Sequence, residues 1–295
     1  MAPFFISNFL DYLKTEKRYS EHTLKSYHKD LVQFLEFSLI ETKDDLIEVR
    51  PINIRGWIVD LMENDFSART VNRKLSTLRT FFKYLLKEGI LQSSPIKTVN
   101  GPRISKPLPS FAKTEQLDSL KIDGLFQKDF SGIRDRLMFE ILYQTGIRSS
   151  ELIGLTVDRV KQDQIKVIGK RNKERIIPIT PELNNLIQEY KKLRTKFNTE
   201  TNNFFVLDNG KKLYPKFVYR KINNYLSIAT DLEKRSPHVL RHTFATHMLN
   251  NGAGLEILKD LLGHANLSAT QVYTHNSFAQ LNTIYSQSHP RGQKT

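Results

Sequence analysis

Residues 236–275, SPHVLRHTFATHMLNNGAGLEILKDLLGHANLSATQVYTH, carry a His238-x-x-Arg241 pair, a Gly263-His264 pair, and Tyr273 nine residues after that second histidine. Ser236-Pro237 reads as an N-cap followed by proline at the first helical position, where its missing N–H costs nothing. Leu240, Phe244 and Met248 recur at i, i+4 and i+8 and mark the buried stripe of that helix. His238 and Arg241 stand about 60° apart around the axis, at roughly 100° per residue, and both lie off the stripe, so they can reach one oxygen-rich ligand. Gly252 is the expected C-cap. Leucine and isoleucine at 255, 257, 258, 261 and 262 predict a second buried helix that ends at a left-handed Gly263 and leaves His264 just past the helix end. Ser268 to Gln271 fits a capping box, opening a third short helix that carries Tyr273 on its second turn.

A chain of 295 residues suggests two domains, and 39% hydrophobic content is enough to give each a core. No apolar run approaches the roughly 20 residues that span a bilayer, and the N-terminus has no basic n-region or small-residue cleavage site, so a soluble, cytoplasmic protein without a membrane partner is expected. The absence of cysteine excludes disulfides, thiolate zinc sites and cysteine nucleophiles. The net charge is +14, and it is uneven: residues 1–100 hold 15 basic and 13 acidic groups, the remainder 30 and 18. Such an excess favours a polyanionic partner, most simply nucleic acid, although a merely basic protein explains the charge alone equally well.

Helices are expected over 4–17, 20–37 with Ser20 as N-cap, 53–63 around Trp57, and 67–89 from Ser67 to Gly89. The last buries Val71, Leu75, Leu78, Phe82 and Leu85, and its other face offers Arg69, Asn72, Arg73, Ser76 and Lys83. Those side chains suit phosphate and base-edge contacts in a major groove, while a solvated helix face is the commoner meaning of the pattern. Residues 99–113 hold three prolines and three basic groups without helical period and read as a basic linker between a domain over 1–98 and another over 114–295. The second domain opens with a weak helix over 115–125, then 133–145 with Leu137, Ile141 and Leu142 in the core and Gly146 as cap. Arg148 follows at once, and a helix over 149–155 places Glu151 three residues beyond it, where a simple salt bridge is the bland explanation. Two β-branched runs, 164–168 and 175–179, predict a hairpin whose loop gathers Lys170, Arg171, Lys173 and Arg175. Turns are often charged simply because they are wet, but a flexible lysine there could reach a minor groove or a leaving oxygen. Helices are expected over 182–196, 216–229 and 278–285, with a short strand over 204–207. His238 and His242 form an i, i+4 pair, yet H-E-x-x-H is absent and no thiol is available, so no metal site is expected. His242 and His247 read as packing residues, and His22, His28, His275 and His289 as ordinary surface or helix residues.

In order along the chain, Arg148 in TGIRSSELIGL, Lys170 in VIGKRNKERIIPI, His238-x-x-Arg241, Gly263-His264 and Tyr273 resemble the active-site set of the tyrosine recombinases, and within them the Xer branch. The resemblance covers nearly the whole chain. Arg171 departs from the pattern, standing where a small residue is usual. The resemblance implies a mainly α protein, with an N-terminal helical core-binding (SAM-like) domain and a C-terminal α+β catalytic domain holding a small antiparallel sheet. It also favours DNA contact for the 67–89 helix. Tyr273, a phenol with a reference pKa of about 10, would attack a DNA phosphodiester and so must lose its proton. Arg148 and Arg241 would bind the non-bridging oxygens, assisted by His264, in place of a metal. His238 would share the tyrosine's proton, Lys170 would protonate the departing 5′ oxygen, and Glu151 would orient its neighbours. A 3′-phosphotyrosine conserves bond energy, so no ATP or other cofactor is implied, in keeping with the lack of a phosphate-binding G-x-x-x-x-G-K-[ST] loop or a two-metal carboxylate cluster. The implied partners are double-stranded DNA at a specific recombination site and further protomers, in a homo-tetramer or a hetero-tetramer with a paralogous recombinase. A helix after Tyr273 would dock on a neighbour. A DNA translocase belongs to the same setting, which is resolution of chromosome dimers at a dif-like site during cell division. Alternatives are a phage or transposon integrase, a type I topoisomerase of the same chemistry, and a catalytically silent architectural DNA-binding protein.

Overall fold

A computed structural model describes residues 4–104, 110–121, 125–169, 173–196, 201–263 and 275–292. The chain forms two compact units, Met1–Pro107 and Leu108–Thr295. Among the described residues no helix is long and apolar enough to cross a membrane.

The first unit is built of α1 (Phe4–Thr15), α2 (Glu21–Phe37), α3 (Lys43–Ile47), α4 (Pro51–Glu63) and α5 (Ala68–Lys87). Ser20 and Ser67 cap α2 and α5 by accepting from the backbone N–H of Thr23 and Thr70. Helix α3 has too few turns to show a period; a reciprocal capping box between Thr42 and Asp45 starts it. Leu31, Phe34, Trp57, Leu78, Phe81 and Phe82 are all fully buried, and Phe34 meets Trp57 edge-on at 5.1 Å between ring centres. Residues 99–102, expected at the start of the linker, pack back on α5 instead: Val99 is buried, Arg79 donates to its carbonyl at 3.1 Å, and Asn72 donates to the Pro102 carbonyl at 2.8 Å.

In the second unit, α6 (Thr114–Asp118) runs into a tight turn of 3₁₀ helix, Ser119–Lys121, where a single longer helix was expected. Helix α7 (Phe130–Thr145) is buried almost all round, so its polar residues need internal partners. Arg134 donates to Asp135 and Asp208, and Gln144 to Glu140. After α8 (Ser149–Ile153), strands β1 (Gln164–Ile168) and β2 (Glu174–Pro178) pair antiparallel, with Gln164 opposite Pro178 and Ile168 opposite Glu174. The strand expected over 204–207 is only an isolated bridge, Val206 to Lys212. Helices α9 (Pro181–Arg194), α10 (Pro215–Ala229), α11 (Pro237–Asn250), α12 (Leu255–Leu262) and α13 (His275–Ser288) complete the unit. Helix α7 lies against α9 and α11, and α13 against α11 and β2. Leu240, Phe244 and Met248 line the buried side of α11 as their spacing requires. Its C-cap is Asn251 rather than Gly252, which follows in the left-handed region.

The end of the chain is more deeply embedded than a polar tail suggests. Tyr285 is 1% exposed and donates to the Gln144 carbonyl at 3.1 Å, while the Arg291 guanidinium meets Asp118 and Glu140. His289, expected to be an ordinary surface or helix residue, is fully buried among the rings of Tyr143, Phe244 and Tyr285. Its Nδ1 accepts from the Arg291 backbone N–H at 3.0 Å, which leaves no room for a proton there. Burial, then the charge of Arg291, pushes its pKa down to about 3. Above about pH 6.5 neither folded nor unfolded chain protonates it. Below that, the unfolded chain takes up a proton that the folded core refuses, and stability falls by about 1.4 kcal/mol per pH unit until about pH 3. His289 alone is therefore expected to remove about 2 kcal/mol at pH 5. Melting of the second unit at pH 7 and pH 5 checks this, with His289→Phe flattening the slope.

Candidate active site

Four elements of the second unit converge where α7 ends. Gly146 caps α7 in the left-handed region, with φ +60°. A Cβ there would fall 2.4 Å from Phe244 Cδ1, so both the turn and the packing require glycine. The chain then enters α8 with Arg148 as its N-cap. Glu151 accepts from the Arg148 backbone N–H at 2.8 Å and from its Nη1 at 2.9 Å. The same carboxylate takes a two-pronged pair from Arg175 on β2, Nη1 to Oε1 at 2.9 Å and Nη2 to Oε2 at 2.8 Å. Arg241 on α11 donates to the Gly146 carbonyl at 2.6 Å and to the Leu262 carbonyl at 2.7 Å, where α12 ends before the left-handed Gly263.

Burial alone would raise the Glu151 pKa, but the hydrogen bonds and charge of Arg175, then those of Arg148, hold it below the usual carboxylate range. It is an ionised anchor, not a proton donor. Burial lowers the Arg241 pKa to about 10, helped by repulsion from Arg148 and Arg175. Two guanidiniums, Arg148 and Arg175, thus share the Glu151 carboxylate, and the charge of a third, Arg241, stands close by. The spare donors of Arg148 and Arg241 have no partner among the described residues, and the Arg148 side chain is 35% exposed. The surplus of positive charge, on fixed and partly dehydrated forks, is the chemistry that a tetrahedral anion would need. His238 is exposed on the first turn of α11. Lys170, Arg171, His264 and Tyr273 lie outside the described residues.

Three residues expected at DNA are engaged elsewhere. Arg175 is 5% exposed, with its Nε donating to the Leu261 carbonyl at 2.7 Å as well as its fork on Glu151, so it has no face left for a phosphate. Arg73 is clasped by buried Asp30 and donates to Ser26 at 2.7 Å. Asn72 spends its amide on the carbonyls of Ala68 and Pro102. Arg69, Lys83 and Lys173 are exposed. Lys83 also borders a groove of about 550 Å³ that Lys17, Arg79, Tyr12 and Tyr19 help to line. The sequence reading had no signal that Lys17 and Arg79 border this groove beside Lys83, since they come together only when α1 packs beside α5. It also misread Arg175, although strand alternation does signal it: Arg175 and Ile177 share the buried face of β2.

Residues 116–280 match the model of the phage integrase family, and residues 6–89 that of the phage integrase N-terminal SAM-like domain. The tyrosine recombinase XerC of Thermodesulfovibrio yellowstonii is 38% identical, over 97% of this chain and 96% of its own length. The tyrosine recombinase XerD of Proteus mirabilis is 36% identical, over 97% and 93%. Among solved structures, the XerH site-specific recombinase bound to palindromic difH substrate shares the fold, with a TM-score of 0.71 at 22% identity over 95% of this chain and 84% of that one. The Tn1549 transposon integrase in complex with circular intermediate DNA does so with a TM-score of 0.69 at 19% identity, over 95% and 99%. The mainly helical fold, with its SAM-like first domain and two-stranded sheet, is that of these enzymes. The chain belongs to the phage integrase family, in which it is an Xer-type tyrosine recombinase, an enzyme of site-specific recombination.

Proposed function

We propose that this enzyme cuts and rejoins double-stranded DNA at a dif-like site, resolving chromosome dimers during cell division. The observation that carries the assignment is the convergence of Arg148 and Arg241, with spare donors, on a corner whose only described carboxylate is already shared with Arg175. A scissile phosphate would receive their forks as charge grows on its non-bridging oxygens. Tyr273 attacks phosphorus, a 3′-phosphotyrosine forms, and the 5′ oxygen leaves with a proton from Lys170. His238 shares the tyrosine's proton and His264 adds a hydrogen bond to the phosphate. Arg69, Lys83 and Lys173, exposed and unspent on buried partners, are the contacts proposed for flanking DNA. The units are taken as a core-binding domain over 1–98, a linker over 99–113 whose first residues, 99–102, lie along α5, and a catalytic domain over 114–295. The working assembly is a tetramer, of this chain alone or with a paralogous recombinase, activated by a DNA translocase. Relatives named XerC and XerD, and the difH substrate of the XerH complex, support this setting.

The test is covalent trapping. Nicked suicide duplexes from the chromosome-terminus region of the host are incubated with the enzyme and candidate paralogues, in EDTA and without ATP. A denaturation-resistant adduct is expected, and digestion should leave the nucleotide on the peptide that contains Tyr273. An adduct mapped to another residue, or none with any partner, would overturn the assignment.

A further inference from the structure

We infer that Arg175 is a positioning residue: its buried guanidinium ties the Glu151 carboxylate, and through it Arg148, to the C-terminal carbonyl of α12, setting the two phosphate-binding arginines in one frame. The inference rests on the function proposed for Arg148 and Arg241.

The geometry is closed around that one group. Glu151 and Arg175 are only 4% and 5% exposed as side chains. The carboxylate has about four acceptor sites, and four donors fill them: Oε1 takes Arg148 Nη1 and Arg175 Nη1, while Oε2 takes the Arg148 backbone N–H and Arg175 Nη2. Its hydrogen-bonding capacity is therefore used entirely for alignment. Arg175 Nε turns the other way and holds the Leu261 carbonyl, an orphan of the last turn of α12. The next carbonyl, Leu262, is held by Arg241. Two consecutive carbonyls of one helix end are thus gripped by two arginines, one buried and one facing the phosphate corner. Displacing α12 would move both Arg241 and, through Arg175 and Glu151, Arg148.

Glycine at 263 is part of the same device. A Cβ there would lie 3.1 Å from Arg175 Nη1 and 3.3 Å from its Cδ and Cζ, so a side chain would press directly on the guanidinium. Gly169, where β1 runs into the hairpin loop, lies against the same pair, a Cβ there standing 3.6 Å from both Arg175 Nη1 and Glu151 Oε1. Lysine cannot replace arginine in this role. It is a point charge on a flexible stem and cannot hold a carboxylate by two parallel bonds while also donating, at right angles, to a carbonyl.

The experiment compares wild type with Arg175→Lys in the suicide-duplex assay, measuring duplex affinity and the single-turnover rate of adduct formation at saturating duplex. Because a displacement of about 1 Å in aligned groups can cost about 100-fold, Arg175→Lys is expected to cleave about 100-fold more slowly while its affinity stays within a few-fold. A second variant replaces the whole ion pair, Arg175→Met with Glu151→Met, leaving neither of the two charges buried alone, so that it folds even if lysine does not. It is expected to bind duplex and to cleave as slowly as Arg175→Lys. Affinity lost with the saturated rate intact would make Arg175 a DNA contact and overturn the inference. So would a wild-type rate in either folded variant. If wild type itself gave no adduct with any partner, the function proposed for the site would fall first, and this inference with it.

Discussion

Arg241→Ala is expected to slow covalent attachment to DNA by about three orders of magnitude, at saturating duplex, while leaving affinity within a few-fold. Arg241 holds two backbone carbonyls, Gly146 and Leu262, with one N–H from each terminal nitrogen, which fixes the plane of the guanidinium before any substrate arrives. Its charge is strained in the free enzyme: burial, Arg148 and Arg175 together bring its pKa down to about 10. A phosphate removes part of that strain on binding. On the function proposed for the site, more would be removed as the non-bridging oxygens gain charge during attack, and this difference would accelerate the step. Affinity is spread over many contacts along the duplex and so responds little. Arg241→Lys should recover little of the rate, because one ammonium cannot reach both carbonyls and keep a fork free for phosphate. A rate within about tenfold of wild type in Arg241→Ala would remove this residue from the transition state.

The same geometry explains what could be read from the residues alone. Helix α12 runs over Leu255–Leu262 because its apolar spacing and the glycine after it are local signals, and Gly146 ends α7 for the same reason. Arg148 and Glu151 were legible as a pair because three residues separate them at a helix start. What escaped was whatever depends on distant segments. Arg175 looked like one more cation of a wet turn, yet its partners are Glu151 on α8 and Leu261 on α12. His289 looked like part of a polar tail, but α13 carries it beneath Tyr143 and Phe244. Arg73 looked like one position on the exposed face of α5, and its neighbour Lys74 was assigned to neither face. No period in α5 announces that an aspartate on α2 will claim both, since charge pairs between helices leave no trace in the spacing of either one.

That aspartate gives the largest stability effect expected in the first unit. Asp30 is 1% exposed and accepts from both terminal nitrogens of Arg73, from Lys74 Nζ at 3.0 Å and from Thr77 at 2.9 Å. Burial would raise its pKa, but these hydrogen bonds bring it below the usual carboxylate range. Lys74 is itself buried, at 4% side-chain exposure, and apart from Asp30 it has Gln33 at 2.6 Å and the rings of Trp57 and Phe66. Asp30→Asn keeps the volume but turns an amide NH2 toward two of the four donors and leaves the ammonium without a counter-charge. Breaking a buried pair in this way costs about 3–5 kcal/mol. Since each unit packs its own core, the loss should appear as a separate, earlier transition in thermal or urea unfolding, with the second unit's transition in place. The pairing explains the size of the effect: Asp30→Leu combined with Lys74→Met removes both buried charges and should recover most of the stability. If the single variant melted with wild type, the carboxylate would be dispensable. If the double variant melted as low as the single one, the cost would lie in packing around position 30 and not in the orphaned ammonium. The double variant also frees Arg73, whose side chain is 47% exposed, from its pairing with Asp30. A rise in duplex affinity, steepest at low salt, is the expected consequence of one more unpaired arginine on the face of α5 that already presents Arg69 and Lys83.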